Sequence, residues 1–90
     1  MSRLHSVQFT KQAKTDLMRL DKAVATRVVR RIQWLTDNLD SVALQPLTAQ
    51  WASFYKLRVG DYRVLYRLEE TDAGAVIFVE FIRHRREVYK

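Results

Sequence analysis

The sequence predicts an α+β fold: an N-terminal strand, a two-helix hairpin, and then a three-stranded antiparallel meander with the helices covering one of its faces. Two periods and a set of turns carry this expectation. Before the single proline, Pro46, the dominant apolar spacing is helical, and after it side chains alternate with a period of two. Between the alternating runs stand Gly60-Asp61 and Thr71-Asp72-Ala73-Gly74, residues suited to tight turns between antiparallel strands.

Leu4 to Phe9 alternates, with Leu4, Ser6 and Gln8 on one side and His5, Val7 and Phe9 on the other, and reads as a short first strand. Thr10 is placed to cap a first helix whose Ala13, Leu17 and Leu20 share a face, with Lys11, Lys14 and Arg19 turned away. Asp21 opens a second helix to about Asn38, in which Val24, Val28, Ile32, Leu35 and Leu39 form an apolar stripe. Asp40 to Ser53 reads as irregular. Three strands follow, Phe54 to Val59, Tyr62 to Glu69 and Ala75 to Arg83, and short connections make them a meander.

Ninety residues, 48% of them hydrophobic, describe one domain over residues 1–90 that folds without staples. There are no cysteines, which excludes disulfides, thiolate chemistry and cysteine-based zinc sites. The two histidines, His5 and His84, stand at opposite ends of the chain, so neither a bound metal nor another cofactor is expected. The first residues lack the apolar run of a signal peptide, and no segment approaches the roughly 18 apolar residues of a membrane span. The expectation is a cytoplasmic protein with no membrane partner. Sixteen Lys and Arg against ten Asp and Glu give a net charge of +6 and a pI near 10.1, which calls for an anionic partner, nucleic acid before an acidic protein segment or a membrane surface.

Strand sidedness locates that partner's seat. Lys56 and Arg58 share a face with Phe54, opposite Tyr55, Leu57 and Val59; Arg63, Leu65 and Arg67 oppose Tyr62, Val64, Tyr66 and Leu68. With the apolar faces turned to the helices, Lys56, Arg58, Arg63 and Arg67 project from the open face. The last strand adds Arg83, His84, Arg85 and Arg86 at its exit. Each arginine taken singly has a plainer role: Arg67 can pair with Glu69 or Glu80, and Glu87 can hold an arginine in place. Their convergence is more informative, because like charges on adjacent strands repel unless an anion offsets them. Lys22, Arg27, Arg30 and Arg31 read as a solvated helix face, Trp34 and Trp51 as core or interface, and Tyr62 and Tyr66 as core.

Tyr89 follows the terminal arginines, and a phenol with an ordinary pKa of about 10 beside guanidinium groups is stabilised as phenolate. It can then take or give a proton. His84 and Glu87 are further candidate bases.

These residues resemble the RelE toxins of bacterial type II toxin–antitoxin systems, within the wider RelE/ParE superfamily. The resemblance runs from the Phe9-Ala13-Leu17 entry into the first helix through Leu47 and FYKLRVGDYRVLYRL to the closing HRREVYK, and its centre is Tyr55 to Tyr66. It implies a helical hairpin on a small antiparallel sheet. It also implies an endoribonuclease that cuts messenger RNA in the ribosomal A site without a metal, by attack of the ribose 2′-hydroxyl on the adjacent phosphate. Residue by residue, Lys56 matches the lysine of the YK motif, and Arg58 stands where a second lysine occurs. Arg63 matches the arginine of GxYR and is expected on the scissile phosphate. Tyr89 matches the C-terminal tyrosine. The remaining catalytic arginine is Arg85 by the HRREVY pattern, with Arg83 in reserve by ungapped spacing from Tyr89. The resemblance thus makes Lys56, Arg63, Arg85 and Tyr89 the catalytic set, with Arg58, Arg67, Arg83, Arg86 and His84 as RNA-binding residues. The implied partners are a cognate RelB-like antitoxin, the ribosome and messenger RNA. Two other readings stay open: a ParE-type toxin acting on DNA gyrase, and a non-catalytic basic RNA-binding module.

Overall fold

A computed structural model of the chain describes residues 4–48 and 51–89. Its elements run in the order β1 (Ser6–Phe9), α1 (Lys11–Met18), α2 (Lys22–Asn38), β2 (Gln45–Pro46), β3 (Tyr55–Val59), β4 (Tyr62–Glu70), β5 (Ala75–His84) and α3 (Arg85–Val88). Lys90, the last residue of the basic cluster, and Ala49 and Gln50 within the irregular segment lie outside the described residues.

The sheet corrects the expected three-stranded antiparallel meander. It has five strands in the order β1-β5-β4-β3-β2, and it is mixed, because β1 lies parallel to β5 while the other neighbours are antiparallel. The helical hairpin carries the chain from β1 at one edge of the sheet to β2 at the other, and β3 and β4 then lead back to β5 beside β1. The fifth strand is the two-residue β2, paired through Gln45 with Lys56 and through Pro46 with Tyr55. It is an edge strand, where a proline without an N–H is tolerated.

The helices form as their caps and stripes dictate. Thr10 Oγ1 accepts the Ala13 N–H at 3.1 Å and caps α1. Asp21 occupies the corresponding position at α2 without making a side-chain capping bond. Val28, Ile32, Leu35 and Leu39 of the predicted stripe are buried, together with Ala13, against Leu57, Val59, Val64, Tyr66, Ile77, Val79 and Ile82 from the inner face of the sheet. Tyr66 is 1% exposed, and burial, reinforced by Tyr55, pushes its phenol up to about 12.

Two irregularities position the open face. Between Leu65 and Tyr66 the β4–β5 register shifts, Leu65 facing Phe81 and Tyr66 facing Val79, so Glu80 has no rung of its own. Its carboxylate accepts from Arg67 Nε. At the other end of β5, the Leu4 N–H donates to Ala73 O at 2.9 Å, and His5 Nδ1 accepts the Ala75 N–H at 2.9 Å. His5 Nε2 lies 2.9 Å from Asp40 Oδ2. The start of β1 is thereby tied both to the β4–β5 turn and to the end of α2.

Gly74 makes that approach possible. A Cβ on Gly74 would stand 2.1 Å from the Leu4 carbonyl oxygen and 3.1 Å from His5 Nδ1. Gly74→Ala is expected to cost about 2 kcal/mol or more by separating β1 from β5, seen as a fall in Tm of roughly 10 °C.

Candidate functional site

The site is built where the end of the chain returns to the β3–β4 hairpin. The turn at Gly60-Asp61 has Gly60 at φ 59°, a left-handed conformation suited to glycine. The turn puts Lys56, Arg58 and Arg63 on one face of adjacent strands, Arg58 directly opposite Arg63. Arg63 is in turn opposite Arg83 on β5. Facing positions of an antiparallel pair point to the same side, so Arg58, Arg63 and Arg83 form a row across three strands.

α3 then brings in the phenol. The Arg85 N–H donates to Asp61 O at 2.8 Å, which fixes the start of α3 at the hairpin tip, and His84 Nδ1 accepts from the Arg86 N–H at 3.3 Å. Val88 is buried at 6% exposure and anchors the other end. Tyr89, half exposed, reaches back over β3 and β4. Its Oη accepts from Lys56 Nζ at 2.6 Å and from Arg63 Nε at 3.2 Å. Lys56 Nζ lies 4.7 Å and Arg63 Cζ 5.5 Å from the centre of the Tyr89 ring.

Arg63 is 4% exposed, unusual for a guanidinium. Besides its bond to the phenol, its Nη1 donates to Gly60 O at 2.9 Å and to Tyr62 O at 2.8 Å. Its Nη2 makes no hydrogen bond among the described residues. Burial, the largest single influence on Tyr89, opposes ionisation of the phenol; the two hydrogen bonds from Lys56 and Arg63 and the two positive charges together outweigh it. The net effect is a phenol that ionises below its usual value.

The other predicted site residues fall in different places. Arg58 is exposed beside this centre. Arg67 is taken up by Glu80 and lies over the Phe78 ring, its Cζ 5.3 Å from the centroid. Arg83 turns to the edge of β5, where its Nε lies 3.3 Å from Asp16 Oδ2 and its Nη1 3.9 Å from Glu87 Oε2. Arg85 is exposed at the hairpin tip, its Nε 3.8 Å from Asp61 Oδ1. Arg86 is exposed, and His84 packs edge-on against Tyr62, ring centres 5.4 Å apart. Lys56, Arg63 and Tyr89 therefore converge. Arg83 shares the row without touching the phenol, and Arg85 stands apart.

Sequence reasoning did not single out Asp16, a carboxylate only 5% exposed. The available signal was its place beside Leu17 and near Ala13 on the packed side of α1, where an acidic residue needs partners. Trp51 packs edge-on against Phe54 and Phe81, with ring centres 5.9 and 5.6 Å away. Among the described residues no three His, Asp or Glu side chains form a group that could hold a metal ion, and no helix is long and apolar enough to cross a membrane.

Residues 7–89 match the model of a family described as the ParE toxin of the type II toxin–antitoxin system parDE. The chain belongs to this family, within the RelE/ParE superfamily of toxins. Among its relatives the toxin is 29% identical over 89 residues to Toxin RelG of Mycobacterium tuberculosis, covering 96% of this chain and 97% of that one. Among solved structures it resembles a chain of the RelBE2 toxin–antitoxin complex of Mycobacterium tuberculosis, with 30% identity, a TM-score of 0.71, and coverage of 89% of this chain and 96% of the other. It also resembles a chain of the RelE–RelB complex of Pyrococcus horikoshii, with 25% identity, a TM-score of 0.66, and coverage of 91% and 96%. The protein is a toxin of a type II toxin–antitoxin module.

In an alkaline titration followed by tyrosine 13Cζ shifts, Tyr89 is expected to ionise below the usual value of about 10 and Tyr66 near 12. Lys56→Met removes one of the cations beside the phenol, so the Tyr89 midpoint should move upward while that of Tyr66 stays.

Proposed function

We propose that this toxin is a ribosome-dependent endoribonuclease that cuts messenger RNA in the A site without a metal. The observation that carries the reading is the Tyr89 phenol held by Lys56 and Arg63, a proton-accepting group and two cations at one point on a basic face. Cleavage of RNA beside its own 2′-hydroxyl asks for those parts: a base, charge stabilisation on the phosphate, and a proton for the leaving oxygen.

In the proposed reaction, Tyr89 as phenolate accepts the 2′-hydroxyl proton while the 2′ oxygen forms a bond to phosphorus. The bond from phosphorus to the 5′ oxygen breaks. That oxygen takes a proton from the Lys56 ammonium and departs as a 5′-hydroxyl, leaving a 2′,3′-cyclic phosphate. Passage of the proton from the Tyr89 hydroxyl to the neutral Lys56 amine, across their 2.6 Å contact, restores the starting state. Arg63, fixed through Nη1 to the turn carbonyls, offers Nη2 to the non-bridging oxygens of the phosphate. Arg83, its neighbour in the row, is the better placed second arginine, since Arg85 is directed to Asp61. Arg58 and Arg86 hold flanking phosphates, and the ribosome presents the RNA strand.

A second reading, action on DNA gyrase, draws support from the match to a ParE family model. The two separate in one experiment: primer extension on a reporter messenger RNA in a reconstituted translation system. The expected result is cuts within codons that require ribosomes, with the rate lowered about a hundredfold or more in Tyr89→Phe and Arg63→Ala and little changed in Arg85→Ala. The rate should also rise with pH up to the lowered Tyr89 pKa, because phenolate is the reactive form. Intact RNA beside inhibited DNA supercoiling would move the function to gyrase.

A further inference from the structure

Arg83 sits between two carboxylates that differ in how firmly they are held. Asp16 is buried in the packed side of α1. Its Oδ2 accepts the Ile82 N–H at 3.0 Å and its Oδ1 accepts from Gln12 Nε2 at 2.8 Å. Those bonds fix it against the edge of β5, beyond the last residue that β1 pairs, and there its Oδ2 lies 3.3 Å from Arg83 Nε. That nitrogen is itself buried and has no hydrogen bond of good geometry in this arrangement. Glu87 is half exposed, belongs to the single turn of α3, and stands 3.9 Å from Arg83 Nη1 at a loose ion-pair distance. Beneath the guanidinium lies the Phe81 ring, its centre 5.0 Å from Cζ. Asp16, Arg83 and Glu87 open on a cavity of about 310 Å³ also lined by Arg19, His84 and Arg86.

Building on the nuclease reading, we propose that Asp16 is a positioning residue that aims Arg83, and that Glu87 is a carboxylate placeholder which an RNA phosphate displaces. A fixed carboxylate on the Nε side leaves the terminal nitrogens to an incoming anion, and the Phe81 ring prevents the fork from folding onto the sheet. A carboxylate at 3.9 Å on a half-exposed side chain is screened and weakly bound, so a phosphate that can accept two N–H bonds wins the site. The phosphate then draws Arg83 Nη1 from Glu87 while Asp16 keeps Nε in place. The cavity gives the strand room at the edge of β5 where Arg83 turns, and Arg19 and Arg86 in its lining suit the next phosphate along.

The test combines kinetics on programmed ribosomes with the 15N-edited signal of the Arg83 Nε–H. In the wild-type toxin that signal should exchange slowly with water, and it should shift on adding a 2′-O-methyl trinucleotide, which cannot be cut. Asp16→Asn keeps a side-chain acceptor beside Ile82 and removes the charge. Exchange of the Arg83 signal should then be fast, and kcat should fall about tenfold with KM little changed. Glu87→Gln should lower KM several-fold, and in an Arg83→Gln background that gain should vanish. A KM gain that persists without Arg83 would be a general charge effect and would overturn the placeholder. An Arg83 signal unmoved by Asp16→Asn would overturn the positioning role, and the trinucleotide titration decides the issue should that variant fail to fold. Absence of ribosome-dependent cleavage in the wild type would instead remove the nuclease reading, while the Arg83 signal still reports whether Asp16 holds it.

Discussion

The row Arg58, Arg63 and Arg83, one residue from each of three adjacent strands, is the constraint to which the rest of the structure answers. Cross-strand neighbours stand about 5 Å apart, and like charges there destabilise a sheet by up to ~1 kcal/mol per pair. The three guanidinium groups are dealt with differently. Arg58 stays in water. Arg63 is drawn down onto the Gly60 and Tyr62 carbonyls and the Tyr89 phenol, none of which carries a full charge while the phenol is protonated. Arg83 is pulled sideways to Asp16 and Glu87. Dispersal keeps the sheet intact and leaves the middle of the row, where Arg63 stands, with charge that no carboxylate offsets.

Tyr89 can meet Arg63 only because α3 closes over the hairpin. α3 has a single turn, too short to be stable by itself, and it is held by contacts at both ends: the Arg85 N–H on Asp61 O and the buried Val88. The hairpin tip therefore has two roles. Gly60 and Asp61 reverse the chain, and their carbonyls receive Arg63 Nη1 and the start of α3. A change at the tip is transmitted to the phenol through both routes.

Strand faces were legible in the sequence because a period of two leaves no ambiguity once the apolar side is known. Lys56, Arg58, Arg63 and Arg67 stand on the expected face, and the pairing of Arg67 with Glu80 was among the plain alternatives. The parallel placement of β1 beside β5 was not legible, because alternation in Ser6–Phe9 says which side faces inward and nothing about which neighbour it chooses. β2 escaped notice because two residues ending in proline carry no periodicity. α3 was not anticipated beyond the strand expected to end at Arg83, since RREV has neither an apolar stripe nor a strong N-cap. Asp16 was hidden by its context: on a helix with lysines nearby, a carboxylate looks solvated until the edge of β5 is known to lie against it.

Carboxylates also sort the cations of the open face into those the fold uses and those it leaves for a ligand. Arg67 has Glu80, Arg83 has Asp16 and Glu87, and Arg85 has Asp61. Lys56, Arg58 and Arg63 have no carboxylate partner among the described residues, and two of the three are in contact with Tyr89. A chain carrying ten acidic residues has enough of them to neutralise this corner. Instead it places there a phenol, which accepts hydrogen bonds from the cations without cancelling their charge until a proton leaves. An anion arriving at Arg63 therefore meets uncompensated charge and an acid–base group whose ionisation that same charge favours, so binding and proton transfer draw on one electrostatic arrangement.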